Sequence, residues 1–336
     1  APGVTGGARG YGSDKLPPKR VPMPDTNTLP RRGFFHEAVL YTSDDEFLDG
    51  TLQFVRDGFE AGEPTLVVVD RAKIRALRAE LAHDGERLYF SDMDVVGRNP
   101  ACIIPAWVRF VGEHGAGGAL RGVGEPVWPG RSAPELSECH LHERLLNVAF
   151  APGVDFWLRC PYDAQRLGSD VLDGVNDAHT AVVRDRISIS VELDPGRVVR
   201  EFAAPLPEPI AATTTHPFGG EAGVLELRNL VACRAREASL DDDAISDFVL
   251  AVHEVATNSV RHGGGAGVAR LWRDDTWLVC EVHDEGHIRD PLTGRLAPRT
   301  DDVGGRGIWI ANHLADLVQL RSSADGTTVR VHARIP

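Results

Sequence analysis

The chain changes its hydrophobic pattern partway along its length. From Phe34 onward, short apolar runs alternate with amphipathic stretches: AVLY, DEFLDGTLQFVRDGFEAG, PTLVVVD, RAKIRALRAELA and RLYF. Strands interleaved with helices imply a mostly parallel sheet with helices on its faces. The alternation continues through helix candidates at 102–111 and 134–150, the strand DFWLRC, a helix near 167–183 and the strand-like ISISVEL. Residues 203–220 then carry Pro205, Pro207, Pro209, Pro217 and three consecutive threonines, which read as a linker. Beyond it the order of elements reverses. A helix, LELRNLVACRAREASL, and a second helix from Asp241 precede strands at 267–273 and 277–283. A glycine-rich interruption, a helix from Ile308 and a hairpin closed by Asp325-Gly326 complete the chain. Helices first and antiparallel strands later indicate an α+β sandwich. The expected organisation is a flexible, mildly basic tail at 1–32, an α/β domain at 33–200, a linker at 201–218 and a second domain at 219–336.

Composition narrows the function classes. With 336 residues, 42% of them hydrophobic, the chain can bury two cores of ordinary size. A net charge of −13 argues against binding nucleic acid through a broad basic surface. Cys102, Cys139, Cys160, Cys233 and Cys280 are scattered and form no CxxC pair, unlike a disulfide framework or a zinc ribbon. No run approaches the roughly 18 to 20 apolar residues of a membrane span, and no apolar signal core is visible. A soluble, cytoplasmic protein without membrane or direct nucleic-acid partners is expected.

Chemistry concentrates in the second half. Ile245, Phe248, Val249, Val252 and Ala256 form an apolar helical stripe, and Glu254, Asn258 and His262, four apart, stack along a neighbouring one. A carboxylate, an amide and an imidazole can thus address one ligand; alone, such a stripe also fits a solvated face. In TWLVCEVHDEG, Leu278, Cys280, Val282 and Asp284 share a strand face, which puts a carboxylate at the end of an apolar row just before Gly286. Asp-Glu-Gly alone is also good turn chemistry. Gly304-Gly305-Arg306-Gly307 opens a helix, where backbone N–H groups can approach phosphate oxygens. Thr327 follows Gly326 at the start of the last strand, where a hydroxyl can share a contact with Asp284.

In this order and spacing, HEVATNSVRHG, HDEG, GGRGIWIANHLAD and GTTVRV resemble the boxes of the Bergerat (GHKL) ATPase superfamily, and specifically its anti-sigma regulatory branch. The resemblance covers about 217–336 and implies a Bergerat ATP-binding sandwich using ATP and Mg²⁺. It implies Glu254 as general base and Asn258 as the Mg²⁺ ligand. Asp284 and Thr327 would read adenine, Gly286 would admit the nucleotide, and Gly305, Arg306 and Gly307 would form a lid, with His262 on the phosphate side. His287-Ile288 departs from the further glycine of many relatives. The branch implies a Ser/Thr kinase that phosphorylates or binds an anti-anti-sigma (STAS-type) protein or a sigma factor, and relatives often form homodimers. Two alternatives stay open: a non-catalytic ATP-binding module, and a histidine-kinase relative, although no acceptor histidine on an upstream dimerising helix is found.

In the first half, FFHEAVLY, GEPVW, HERLLN and CPYD resemble the MEDS sensory domain over about 34–185. That resemblance implies a RecA-like α/β fold. No GxxxxGK[ST] run is present, so no second nucleotide site is expected. Strand ends of open α/β sheets are common ligand sites, which makes His36, Cys160 and Tyr162 candidates for a sensing pocket taking a small-molecule signal. Cys139, His140 and His142 lack tetrahedral metal spacing and are expected on a solvated helix face.

Overall fold

The computed structural model describes residues 21–22, 33–81, 87–150, 153–184, 187–194, 196–209, 211–298 and 306–336. The first half runs β1 (Val21–Pro22), β2 (Phe34–Tyr41), α1 (Asp44–Ala61), β3 (Thr65–Val69), α2 (Arg71–Glu80), β4 (Leu88–Asp92), α3 (Met93–Val96) and α4 (Ile103–His114). It continues with β5 (Leu120–Gly124), α5 (Ala133–Ala149), β6 (Phe156–Asp163), α6 (Ser169–Asp173), β7 (Ala181–Arg184) and β8 (Ile187–Ser190). After α7 (Gly196–Ala203), the second half runs β9 (Thr214–Gly219), α8 (Gly220–Glu237), α9 (Asp242–His262), β10 (Ala266–Arg273), β11 (Trp277–Asp284), α10 (Arg306–Leu314), β12 (Leu317–Ser323) and β13 (Gly326–Arg334). Among the described residues no helix is long and apolar enough to cross a membrane.

The first sheet has the order β1-β8-β7-β2-β6-β5-β3-β4. The run from β7 to β4 is parallel, and β8 and β1 add antiparallel strands at one edge. Helices cover both faces, so the central strands are apolar throughout, as in TLVVV of β3. The second sheet is antiparallel, β12-β13-β11-β10-β9, with α8, α9 and α10 packed on one face through Val231, Phe248, Val252 and Ala311. Its other face is not solvated. Glu281, Gln319, Arg321, Arg330 and His332 are buried there, and Arg330 Nη2 donates to the Pro207 carbonyl at 2.6 Å.

Several boundaries differ from the sequence expectation. Residues 21–22, expected in the tail, pair with β8. The expected linker is shorter, because α7 extends to Ala203 and β9 begins at Thr214. β9 is an edge strand, where Pro217, lacking an N–H, is tolerated. The helix expected near 167–183 is one short turn of α6 followed by β7. CPYD lies within β6. Pairing of β6 with β5 ends at Val123–Arg159, so among the described residues β6 pairs from Cys160 onward with β2 alone, and Pro161 interrupts no second ladder there. His36 lies on β2, between β7 and β6 in the sheet interior.

Helix α5 is the largest departure. Ser132 caps it with Glu135 in a capping box. Cys139 and His142, expected on a solvated face, are fully buried, as are Glu138 and Glu143. The helix is enclosed because Leu141, Leu145 and Leu146 join the core of the first domain while Glu135 and Glu138 face the second.

Candidate functional sites

Helix α9 is capped by Asp241, whose side chain accepts from the Ala244 N–H at 2.8 Å, and its apolar stripe seats it on the antiparallel sheet. This places the end of α9 beside the ends of β11 and β13. A cavity of about 180 Å³ opens there, lined by Asn258, His262, Asp284, Gly286, Ile288 and Thr327 among others. It is smaller than the roughly 300–1,000 Å³ of pockets for drug-sized ligands and suits a ring system more than a whole nucleotide. Residues 299–305, and with them Gly305, lie outside the described residues.

Asp284 is the best-held side chain in this cavity. One carboxylate oxygen accepts from Ser259 Oγ at 2.6 Å and the other from the Gly286 N–H at 2.7 Å. Each oxygen keeps lone-pair capacity for a ligand donor. Thr327, opposite Asp284 in the ladder, donates to the Gly286 carbonyl at 2.8 Å and contacts Ser322 Oγ at 2.9 Å. Gly326 lies at φ +120°, and a Cβ there would stand 2.1 Å from the Asp284 carbonyl oxygen. Gly307 abuts Asn258: an added Cβ would lie 2.5 Å from its Nδ2. Arg306 is exposed at the start of α10. Glu254 is half-buried one turn before Asn258 and outside the residues lining the cavity. The structure therefore gathers Asn258, His262, Asp284, Gly286 and Thr327 around one cavity, with Gly307 behind Asn258. Ser259 and Ser322 were not anticipated; their signal was only adjacency to Asn258 and the ladder register with Thr327.

The first domain brings His36 and Cys160 together, with His36 Nε2 3.3 Å from Cys160 Sγ. Glu143 of α5 and His179, just before β7, complete a cluster that spacing did not reveal. Glu143 Oε2 lies 3.0 Å from His36 Nε2 and 3.2 Å from His179 Nε2. Tyr162 packs edge-on against His179, with ring centres 5.6 Å apart. All five side chains are fully buried, so the candidate residues sit in an interior cluster rather than along an open cleft. Burial, and His179 beside it, lower the His36 pKa. Burial opposes ionisation of Glu143, but contacts with His179 and His36 outweigh it and hold the carboxyl well below its usual range. Burial and Glu143 push the Cys160 thiol and the Tyr162 phenol well up.

The two domains are joined through polar contacts, most of them buried. Glu138 of α5 binds Arg295 at 2.9 Å and Arg321 at 2.8 Å, and Glu135 binds Arg334 at 3.0 Å. Asn99 Nδ2 donates to the Asn312 carbonyl of α10 at 2.9 Å, and Asn312 Nδ2 donates to the Gly294 carbonyl at 2.8 Å. Arg295 thus belongs to the same loop as Thr293, which lines the cavity.

Comparison with known proteins agrees with this division. Residues 35–180 match the model of the MEDS domain, the methanogen/methylotroph DcmR sensory domain. Residues 221–333 match the histidine kinase-like ATPase domain. No curated protein matches the chain. Among solved structures, that of the RsbU and RsbW domains of Rv1364c from Mycobacterium tuberculosis is similar over 62% of this chain, at 17% identity and a TM-score of 0.29. The chain spans about half, 49%, of that structure's length.

Proposed function

We propose that this chain, which joins a MEDS sensory domain to a histidine kinase-like ATPase domain, is an anti-sigma-type Ser/Thr kinase. It uses ATP and Mg²⁺ to phosphorylate a serine on an anti-anti-sigma (STAS-type) partner, or to bind that partner or a sigma factor, under control of the first domain. The observation that carries the ATP site is Asp284, fixed by Ser259 and Gly286 in a ring-sized cavity, with acceptor capacity left for an exocyclic amine. Asn258, which lines the cavity, would hold Mg²⁺, and His262 would face the phosphates. Arg306 and Gly307, with Gly305, would close over them at the start of α10. Magnesium would supply neutralisation of phosphate charge; the chain itself would orient the nucleotide and the acceptor hydroxyl. Glu254, one helical turn from Asn258, would accept the hydroxyl proton. Control by the first domain is supported by the loop that carries both Thr293 and Arg295, held to α5 through Glu138.

A second reading is a non-catalytic ATP-binding module, favoured by the position of Glu254 outside the cavity lining. Incubation with γ-labelled ATP, Mg²⁺ and purified STAS-domain proteins separates the two. Acid-stable label on a partner serine, lost in Glu254→Ala, is expected for the kinase. ATP binding without transfer to any of them favours the module, and acid-labile label would point to histidine-kinase chemistry.

A further inference from the structure

The cluster around Glu143 contains more polar capacity than its own members use. His36, Glu143, Cys160 and His179 each offer one donor atom, and these atoms all lie within 4.8 Å of one another. The closest separations are 3.0, 3.2 and 3.3 Å. Donors of a tetrahedral zinc site, at about 2.0 Å for nitrogen or oxygen and about 2.3 Å for sulfur, stand about 3.3–3.5 Å apart. The contacts of Glu143 with the two imidazoles are close but poorly aligned. Among the described residues, neither Glu143 oxygen nor His179 Nε2 has a hydrogen bond of acceptable geometry, although all three atoms are buried. Such atoms are costly in a protein interior unless something else satisfies them.

The surrounding contacts orient the donors inward. His179 Nδ1 lies 2.8 Å from the Val175 carbonyl, to which it donates, leaving the Nε2 lone pair directed to the cluster. One turn beyond Glu143, Asn147 Nδ2 donates to the Ala178 carbonyl at 2.7 Å, tying α5 to the segment that presents His179. Charge also balances: a dication with one thiolate, one carboxylate and two neutral imidazoles is net neutral, which an interior tolerates.

We propose that His36, Glu143, Cys160 and His179 form a closed binding site for one divalent transition-metal ion of the zinc class. Two imidazoles and a sulfur exclude the hard cations magnesium and calcium. Four protein donors with no solvent access describe a structural or regulatory ion rather than a catalytic one. On binding, the sulfur–metal bond replaces the S–H bond of Cys160 and the proton leaves to solvent. The ion would clamp β2, α5, β6 and the segment before β7, and Glu143 follows Glu138 by five residues on α5, about 7.5 Å along its axis.

The full chain, purified without chelators and assayed by elemental mass spectrometry, is expected to carry one zinc-class ion per molecule. Stripped of metal and titrated with Co²⁺, it should give a one-to-one thiolate-to-cobalt charge-transfer absorption. That absorption should vanish in Cys160→Ser and persist in Cys233→Ser, whose cysteine is exposed. Glu143→Gln should keep the absorption and weaken Co²⁺ affinity at least tenfold. X-ray absorption on wild-type cobalt-loaded protein needs no variant, and should count one sulfur and three nitrogen or oxygen neighbours. No metal uptake, a spectrum unchanged in Cys160→Ser, or any other sulfur count would overturn the assignment.

Discussion

At the residue scale, a few side chains carry separate functions, and removing each should change a different readout. Asp284→Asn puts an amide where an acceptor is needed, and ATP affinity should fall about 10²-fold, the consequence of unpaired polar groups costing about 1–3 kcal/mol each. Glu254→Ala should leave ATP affinity within about twofold of wild type and lower phosphoryl transfer about 10²-fold, the range of a general base. A third residue sets a pH dependence. Burial, with Arg330 beside it, pushes the His332 imidazole down to about 3. Unfolded, the same ring titrates near about 6.5. Between those values only the unfolded chain takes up the proton, so His332 favours unfolding progressively as pH falls from about 6.5 towards 3. The loss is about 1.4 kcal/mol per pH unit from this group, and denaturant titrations at pH 7 and pH 5 should show a smaller difference for His332→Gln than for wild type.

At the element scale, Gly326 begins β13 hard against the backbone of Asp284. Its φ of +120° and the 2.1 Å approach of an added Cβ to the Asp284 carbonyl leave no room for a side chain. Gly326→Ala should destabilise the ATPase domain by more than about 1 kcal/mol and weaken ATP binding as Asp284 shifts, as measured by chemical denaturation and titration of the same preparation. The second half of the fold was legible because its signals are local: an amphipathic α9, an alternating β11 and a hairpin turn all report their own neighbours. The first half was less so. Helix α5 is enclosed by two domains, so no polar stripe marks its orientation, and Cys139 and His142 were expected in solvent. β9 carries proline and threonine, which read as linker until its place at the sheet edge is known. The partners of His36 come from α5, β6 and the segment before β7, far apart in sequence. Spacing therefore anticipated that Asn258 and Asp284 would line one cavity, and gave no sign of Glu143 or His179 beside His36.

At the scale of the whole molecule, the interface between the domains is built around buried charge. Glu138 is fully buried between Arg295 and Arg321, themselves buried. Removing one member of such a group strands the others, so Glu138→Ala should cost about 3–5 kcal/mol. Scanning calorimetry should then show one transition in wild type resolving into two as the domains uncouple. An unchanged single transition would mean that α5 does not hold the halves together. ATP binding by the second half can be read from calorimetric titration of the purified chain with ATP and Mg²⁺, repeated with Asp284→Asn. Saturable one-to-one binding by wild type that is lost or weakened about 10²-fold in the variant is the predicted result; no binding by wild type, or equal binding by both, would contradict it.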